Sequence, residues 1–433
     1  MSEHPVGLGS LLKTRRFLPL FLTQFLGALN DNVYKNALIA LLTFRVISLD
    51  PDTAKTLIIW GTALFIAPYF FFSAIAGTLA DRMDKARMMR ITKLWEIGVM
   101  CIGAIGFFTT NISLLMVMLF MMGTQSAFFS PCKYAVLPTH LKTNELVAGN
   151  GLIEAATFIA ILGGTIIGTQ MVLMSGGPAL VAMLVLVVAV TGYFASRSIP
   201  PAPPKDASAV IDWNIARASW ALVTRARADR IIFLCILGDA WFWFVGTSIL
   251  SLFPLYVRHV LYVDKNVYTL FLTLFSLGVG LGALTCNRLL KGEVSARYVP
   301  LAALGMAIFA VDLFFAARAI GTPDNLAGFS DLLSSWTGWR LIIDMAGLAL
   351  FAGLYEVPLF AIIQHRSNDA ERSRIIAANN IINAFGIMAS AGISQALLVM
   401  GVSIPQIFLI LGIMCVPASI IISRATPDSL FKR

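Results

Sequence analysis

Twelve stretches of this 433-residue chain run for roughly twenty positions with few charges. They lie near residues 17–44, 57–80, 88–110, 112–132, 147–173, 178–197, 230–256, 267–290, 298–318, 339–364, 373–400 and 404–423. A helix of about 20 apolar residues matches the hydrocarbon thickness of a bilayer. The other spanning form, a closed barrel, needs polar and apolar residues to alternate over about 10 positions. Runs such as Val181 to Val190 do not alternate. Composition points the same way, with 58% hydrophobic residues and only 13% charged ones. Soluble domains carry about 25% charged residues. A water-soluble chain of this length would divide into several domains and would have to wet all their surfaces. The expected fold is an all-α membrane protein with twelve transmembrane helices.

The longest polar interruption, 198–229, opens with Pro200, Pro201, Pro203 and Pro204, which stop a helix and favour extended backbone. It leaves six spans on each side, so the chain divides into an N-terminal half (1–197), a linker (198–229) and a C-terminal half (230–433). Arg217, Arg225, Arg227, Asp229 and Arg230 suit a short amphipathic helix on the membrane surface. A second loop, about 319–338, carries Asp324 and Asp331 but no Lys or Arg. With the N-terminus in the cytoplasm, twenty-four of the 32 Lys and Arg residues, Lys93 among them, fall on the cytoplasmic side. Six lie outside, and Lys35 and Lys133 fall in or at the edge of spans. That bias puts both termini and the linker in the cytoplasm. The net charge of +9 is thereby a topology signal, and no nucleic-acid partner is implied.

Met1–Ser10 is polar and lacks the features of a signal peptide. The five cysteines sit in or at the ends of apolar spans without CxxC spacing, so neither disulfide nor metal is expected. No Walker loop, G-x-S-x-G elbow or zinc spacing is present. An H-x4-D acyltransferase signature is also missing, since Glu145 follows His140 and Ala370 follows His365. The expectation is a monomeric, cofactor-free protein that is not an enzyme.

Two segments repeat. Ala148-Gly149-Asn150-Gly151-Leu152-Ile153-Glu154-Ala155 resembles Ala377-Ala378-Asn379-Asn380-Ile381-Ile382-Asn383-Ala384, and Ser130-Pro131 echoes Val357-Pro358. The matches fall at equivalent places in the two halves, the plan of a duplicated transporter. Charges inside spans are costly and mark function by default. Asp31, Asn32, Lys35 and Asn36 share one face of the first span, either as a self-contained Asp31–Lys35 pair or as a polar cavity wall. Further cavity candidates are Lys133, which could meet an anion or Glu154, then Asn150 and Glu154, Asp239 before an aromatic run, Glu356, Asn379 and Asn383. Asp312 and Asp344 suit pairing with Arg318 and Arg340 near helix ends.

The loop Gly77-Thr78-Leu79-Ala80-Asp81-Arg82-Met83-Asp84-Lys85-Ala86-Arg87 resembles the G-x-L-a-D-r-x-G-r-k motif of the major facilitator superfamily, with Asp84 in place of the second Gly. Gly77 permits close helix approach, Asp81 can cap a neighbouring helix, and Arg82, Lys85 and Arg87 anchor the loop. In that superfamily the motif latches the halves together when the outside is open. A worn copy, Gly282-Ala283-Leu284 with Asn287-Arg288, lies in the second half.

Gln24 to Asn32, Phe129-Ser130-Pro131-Cys132-Lys133-Tyr134 and Asn144 to Glu154 are similar to the lysophospholipid transporter family of that superfamily. Val357 to Arg366 and Ile376 to Asn380 are similar to the transporter part of bacterial fusions with a lysophospholipid acyltransferase and an acyl-carrier-protein synthetase. The resemblance implies movement of lysophospholipids, chiefly lysophosphatidylethanolamine, from the outer to the inner leaflet of the bacterial inner membrane for re-acylation. It implies such an enzyme as partner and polar cavity roles for Asp31 and Lys133. Members without the fused enzymes carry an Arg in the seventh span where this chain has Gly246, so Lys35 or Lys133 would have to pair with Asp31 instead. Two other readings stay open on sequence: a proton-coupled exporter of a small amphiphile, and a membrane scaffold for an acyltransferase.

Overall fold

The computed structural model describes residues 7–44, 51–320 and 328–425. Its regular elements there are α1 (Leu8–Leu11), α2 (Leu18–Phe44), α3 (Pro51–Arg82), α4 (Lys85–Phe108), α5 (Ile112–His140), α6 (Leu146–Leu173), α7 (Gly177–Arg197) and α8 (Ile215–Ala226). They continue with α9 (Arg230–His259), α10 (Lys265–Leu290), α11 (Val299–Arg318), α12 (Phe329–Ser334), α13 (Trp336–Arg366), α14 (Arg372–Val399) and α15 (Ile404–Ala425). In hydrocarbon no water satisfies backbone groups, so each apolar segment makes its own hydrogen bonds as a helix. Among the described residues, eleven helices are long and apolar enough to cross a membrane. The 27-residue α2 falls outside that set because Gln24, Asn30 to Asn32, Lys35 and Asn36 dilute its apolarity.

Polar residues at the surface start these helices. Asp84, Asn111, Asp229, Asp264 and Ser335 each accept a backbone N–H from the first turn of the helix they precede. The expected fourth span is too short at its end: α5 continues through Pro131 and Pro138 to His140, which puts Lys133 inside a helix. The 198–229 segment contains α8, an amphipathic helix capped by Asn214. Asp324 lies outside the described residues, as do the last residues of the chain. Arg340 pairs with Asp312, as the sequence suggests, but Arg318 lies over the Phe314 ring at 5.3 Å.

Large apolar side chains such as Phe108, Val187, Phe194 and Ile308 cover the outside. Inside, α2 packs on α6 and α7, and α10 packs on α13. Two long pairs, α3 with α14 and α6 with α10, join the helices before α8 to those after it. Both pairs use glycine for close approach. A Cβ on Gly77 would fall 2.8 Å from the Ser373 carbonyl oxygen, and one on Gly151 would fall 2.5 Å from that of Ala283.

Candidate functional site

A cavity of about 380 Å³ lies between the helices before α8 and those after it. Its polar lining includes Asp31, Asn32 and Lys35 on α2, Ser126 and Lys133 on α5, and Glu154 on α6. Ile66, Ile161, Trp243, Leu250 and Ile387 supply much of the apolar lining. The arrangement is amphipathic, with both signs of charge on one side and oily surface beside them. Asp31 accepts a hydrogen bond from the Ser126 hydroxyl at 2.9 Å, while the Lys35 ammonium lies 5.8 Å from the Phe65 ring centroid. The Lys133 ammonium sits 4.1 Å from the Tyr134 ring centroid, and the Tyr134 hydroxyl donates to Glu154 at 2.7 Å. A cation over an aromatic face is stabilised there, and Lys133 lines the cavity.

The remaining candidates serve other places. Asn36 donates to Thr165 at 3.1 Å and braces α2 against α6. Asn150 does not line the cavity; it exchanges hydrogen bonds of 2.7 and 3.0 Å with Gln364, a buried amide pair between α6 and α13. Asp239 accepts from Asn379 at 2.7 Å and from Asn383 at 2.6 Å, tying α9 to α14. Of these three, only Asn383 reaches the cavity lining. Glu356 lies behind the lining, against Glu154.

One end of the cavity is shut. Ser130 and Asn380 pair across α5 and α14, and the Tyr134 and Phe360 rings meet with centroids 4.0 Å apart. Beyond them Asp81, fully buried, accepts the backbone N–H groups of Ser373 and Arg374 at 3.2 and 3.3 Å and the Arg374 guanidinium at 3.1 Å. The positive end of α14 is thereby capped by a carboxylate from α3. Gly77 lies one turn away against Ala377. Arg82 and Arg87 stay exposed, whereas Lys85 is buried and its backbone N–H donates to Ala202 in the proline-rich segment at 3.0 Å. Asp84 does two jobs: one oxygen caps α4 through Arg87 N–H at 2.8 Å, the other accepts Ala202 N–H at 2.7 Å. The cavity lining on α3 runs from Thr62 to Tyr69, so the space extends away from this latch.

The model of the Major Facilitator Superfamily matches residues 20–330 of this sequence. The chain belongs to the Major Facilitator Superfamily. Among curated relatives, it is 25% identical over 409 residues to "Lysophospholipid transporter LplT" of Photorhabdus laumondii, covering 91% of each chain. It is 27% identical over 385 residues to the protein of the same name in Serratia proteamaculans, covering 86% of each. Solved structures share the fold. Human organic anion transporter MFSD10 superposes with a TM-score of 0.75 at 14% identity, covering 94% of this chain and 99% of that one. FucP in its outward conformation gives 0.69 at 13% identity, covering 94% and 97%.

As a superfamily member the chain carries a polar network that its charge pattern conceals. Lys93, counted by sequence among the cytoplasmic charges, is 1% exposed and lines the cavity. Its ammonium lies 2.6 Å from Glu96, which also accepts from Asn30 at 2.9 Å. Glycines at 27 and 192 leave the room: a Cβ at Gly27 would fall 2.6 Å from that nitrogen. The clue was the i, i+3 spacing of Lys93 and Glu96 inside an apolar run, where each charge offsets the other.

Proposed function

We propose that this protein moves lysophospholipids, lysophosphatidylethanolamine among them, from the outer to the inner leaflet of a bacterial inner membrane by alternating access. The amphipathic cavity is the observation that carries the reading. It sets Asp31, Lys35 and Lys133 beside an apolar surface, which suits a headgroup bearing an ammonium and a phosphate on a single acyl chain. The names of the curated relatives support the same substrate. In this reading α2 is the twelfth span, both termini are cytoplasmic, and residues 1–197 and 230–433 rock as two halves about the 198–229 linker. The Asp81 latch then closes the cytoplasmic side and the cavity faces outward.

Asp31 would take the ammonium and Lys133 the phosphate, while Trp243 and Leu250 bear the chain. Only the headgroup needs a shielded path, because the chain is at home in lipid. The protein works as a monomer, does no chemistry on the lipid and needs no cofactor; a cytoplasmic acyltransferase or acyl-carrier-protein synthetase re-acylates the product. Purified protein in liposomes should speed inward movement of labelled lysophosphatidylethanolamine. A rate equal to that of protein-free vesicles would sink the reading.

A further inference from the structure

Two sealed acids of this bundle are neutralised by a basic side chain: Glu96 has Lys93 at 2.6 Å, and Asp81 has Arg374 at 3.1 Å. Asp239 on α9 is sealed as completely, at 0% exposure, but its Oδ2 takes only amide N–H groups, from Asn379 and Asn383 of α14. The basic residues of the helices packed on α9 are spent elsewhere. Arg340 pairs with Asp312, Arg366 with Asp229, Arg372 with Asp369, and Arg374 with Asp81 and Asp206.

Three oxygens are left over around this carboxylate. Asp239 Oδ1 and the side-chain oxygens of Asn379 and Asn383 are buried and meet no protein donor. An ionised carboxylate only accepts, so both amides turn their nitrogen to Asp239 and keep an oxygen spare. Amide oxygen and nitrogen sit about 1.2 and 1.3 Å from one shared carbon, so each spare oxygen lies within roughly 5 Å of Asp239 Oδ2. Asn379 and Asn383 are one turn apart on a single face of α14. The seam around them is tight. A Cβ on Gly386 would fall 3.2 Å from the Ala240 carbonyl oxygen. One on Gly238 would fall 3.1 Å from the Tyr355 hydroxyl of α13, a fourth buried oxygen with no partner.

A lone negative charge is costly in so dry a seam. A proton answers the charge but supplies one donor to several acceptors. A small cation answers both, because all the oxygens can share it. Hard oxygen donors select a hard ion, and the single carboxylate sets its charge. A monovalent ion leaves the site neutral, whereas a divalent one leaves positive charge buried. Few ligands in a narrow seam suit an ion of sodium's size.

We propose that Asp239, Asn379 and Asn383 bind one sodium ion, with the Tyr355 hydroxyl beside it. Asn383 also lines the cavity, which gives the ion its way in. The ligands all belong to helices after α8, so the ion clamps α9 to α14 within that group. The site does not depend on the transport reading above.

Thermal unfolding of the full-length protein, purified in detergent and dialysed into choline chloride, tests the site. Replacing choline by sodium at constant pH and ionic strength should raise the melting temperature by several degrees, saturating with concentration as linkage requires. Asp239→Asn should lose the response, with Asn383→Ala as the second variant should the first fail to fold. Radioactive sodium should be retained by the wild type at one ion per chain, be displaced by unlabelled sodium, and not be retained by either variant. Calcium as effective as sodium, or a sodium response that survives in both variants, overturns the site. A melting temperature that follows pH and ignores sodium also overturns it, and assigns a proton to Asp239.

Discussion

Lys93 and Glu96 separate a charge that marks topology from one that builds the interior. Removing one partner of a buried ion pair costs about 3–5 kcal/mol because the other is left alone, while removing both costs much less. Lys93→Met should therefore lower thermal stability sharply, and Lys93→Met combined with Glu96→Met should recover much of the loss. Equal melting losses in the single and double variants would show that the pair is not coupled. For the cavity, Asp31→Asn and Lys133→Ala should each reduce lysolipid transport at least tenfold, a change of about 1.4 kcal/mol, at normal expression. Lys133→Arg should keep part of the rate, since charge is retained; full activity in Lys133→Ala would remove it from substrate handling. Asp31 and Lys133 were legible in sequence because charges stand out in apolar runs. Asn150 was equally visible, but whether an amide faces a cavity or another amide depends on the helix opposite, here the Gln364 of α13.

At the level of helices, the seams rest on small residues and not on charge. A Cβ at Gly151 has no room against the Ala283 carbonyl, and that oxygen belongs to a helix backbone that cannot rotate aside. Gly151→Val should push α6 from α10 and favour opening of the latch end, read as faster labelling of a cysteine placed near Gly292. A labelling rate unchanged from the parent would mean that the seam yields elsewhere. Most helix bounds were legible because hydrophobic run length sets them. The course of α5 was not: the expected span ends at 132, whereas the helix runs on through Pro138, a residue that neighbouring helices tolerate in a bundle. The span near 17–44 was legible as well, although Asn30 to Asn32, Lys35 and Asn36 dilute the apolarity of α2.

Across the whole molecule, the proline-rich segment acts as a strap over the latch. Arg374 reaches from α14 to both Asp81 and Asp206, and Asp84 holds Ala202. The flanking pairs Lys205–Asp369 and Arg225–Glu371 are exposed or half-exposed, and surface pairs contribute about 0–1 kcal/mol each. Arg225→Ala should thus leave transport and stability nearly unchanged, whereas Asp81→Ala, which uncaps α14, should abolish closure, read as faster labelling of a cysteine placed near Gly292. The Ser208 hydroxyl, then the Arg374 guanidinium, hold Asp206 below the ordinary carboxylate range. Its contribution is therefore complete above about pH 4, the ordinary aspartate value, and fades only as pH falls through the lower folded value. Strap protection against hydrogen exchange, corrected for intrinsic rate, should be flat from neutral to mildly acidic pH; a loss near neutrality would assign the strap to another group.

The closures at Gly77 and Gly151 have a consequence for how such chains diverge. Each rests on a main-chain oxygen, which every sequence possesses, meeting a position where a side chain is missing. Substitutions around it can therefore accumulate without touching the contact, and hydropathy will not register its loss. In distant relatives these two positions should stay small while the large apolar residues beside them exchange freely. Counting retained small residues along the paired helices then becomes a better guide than overall similarity to which relatives can still close the same gate.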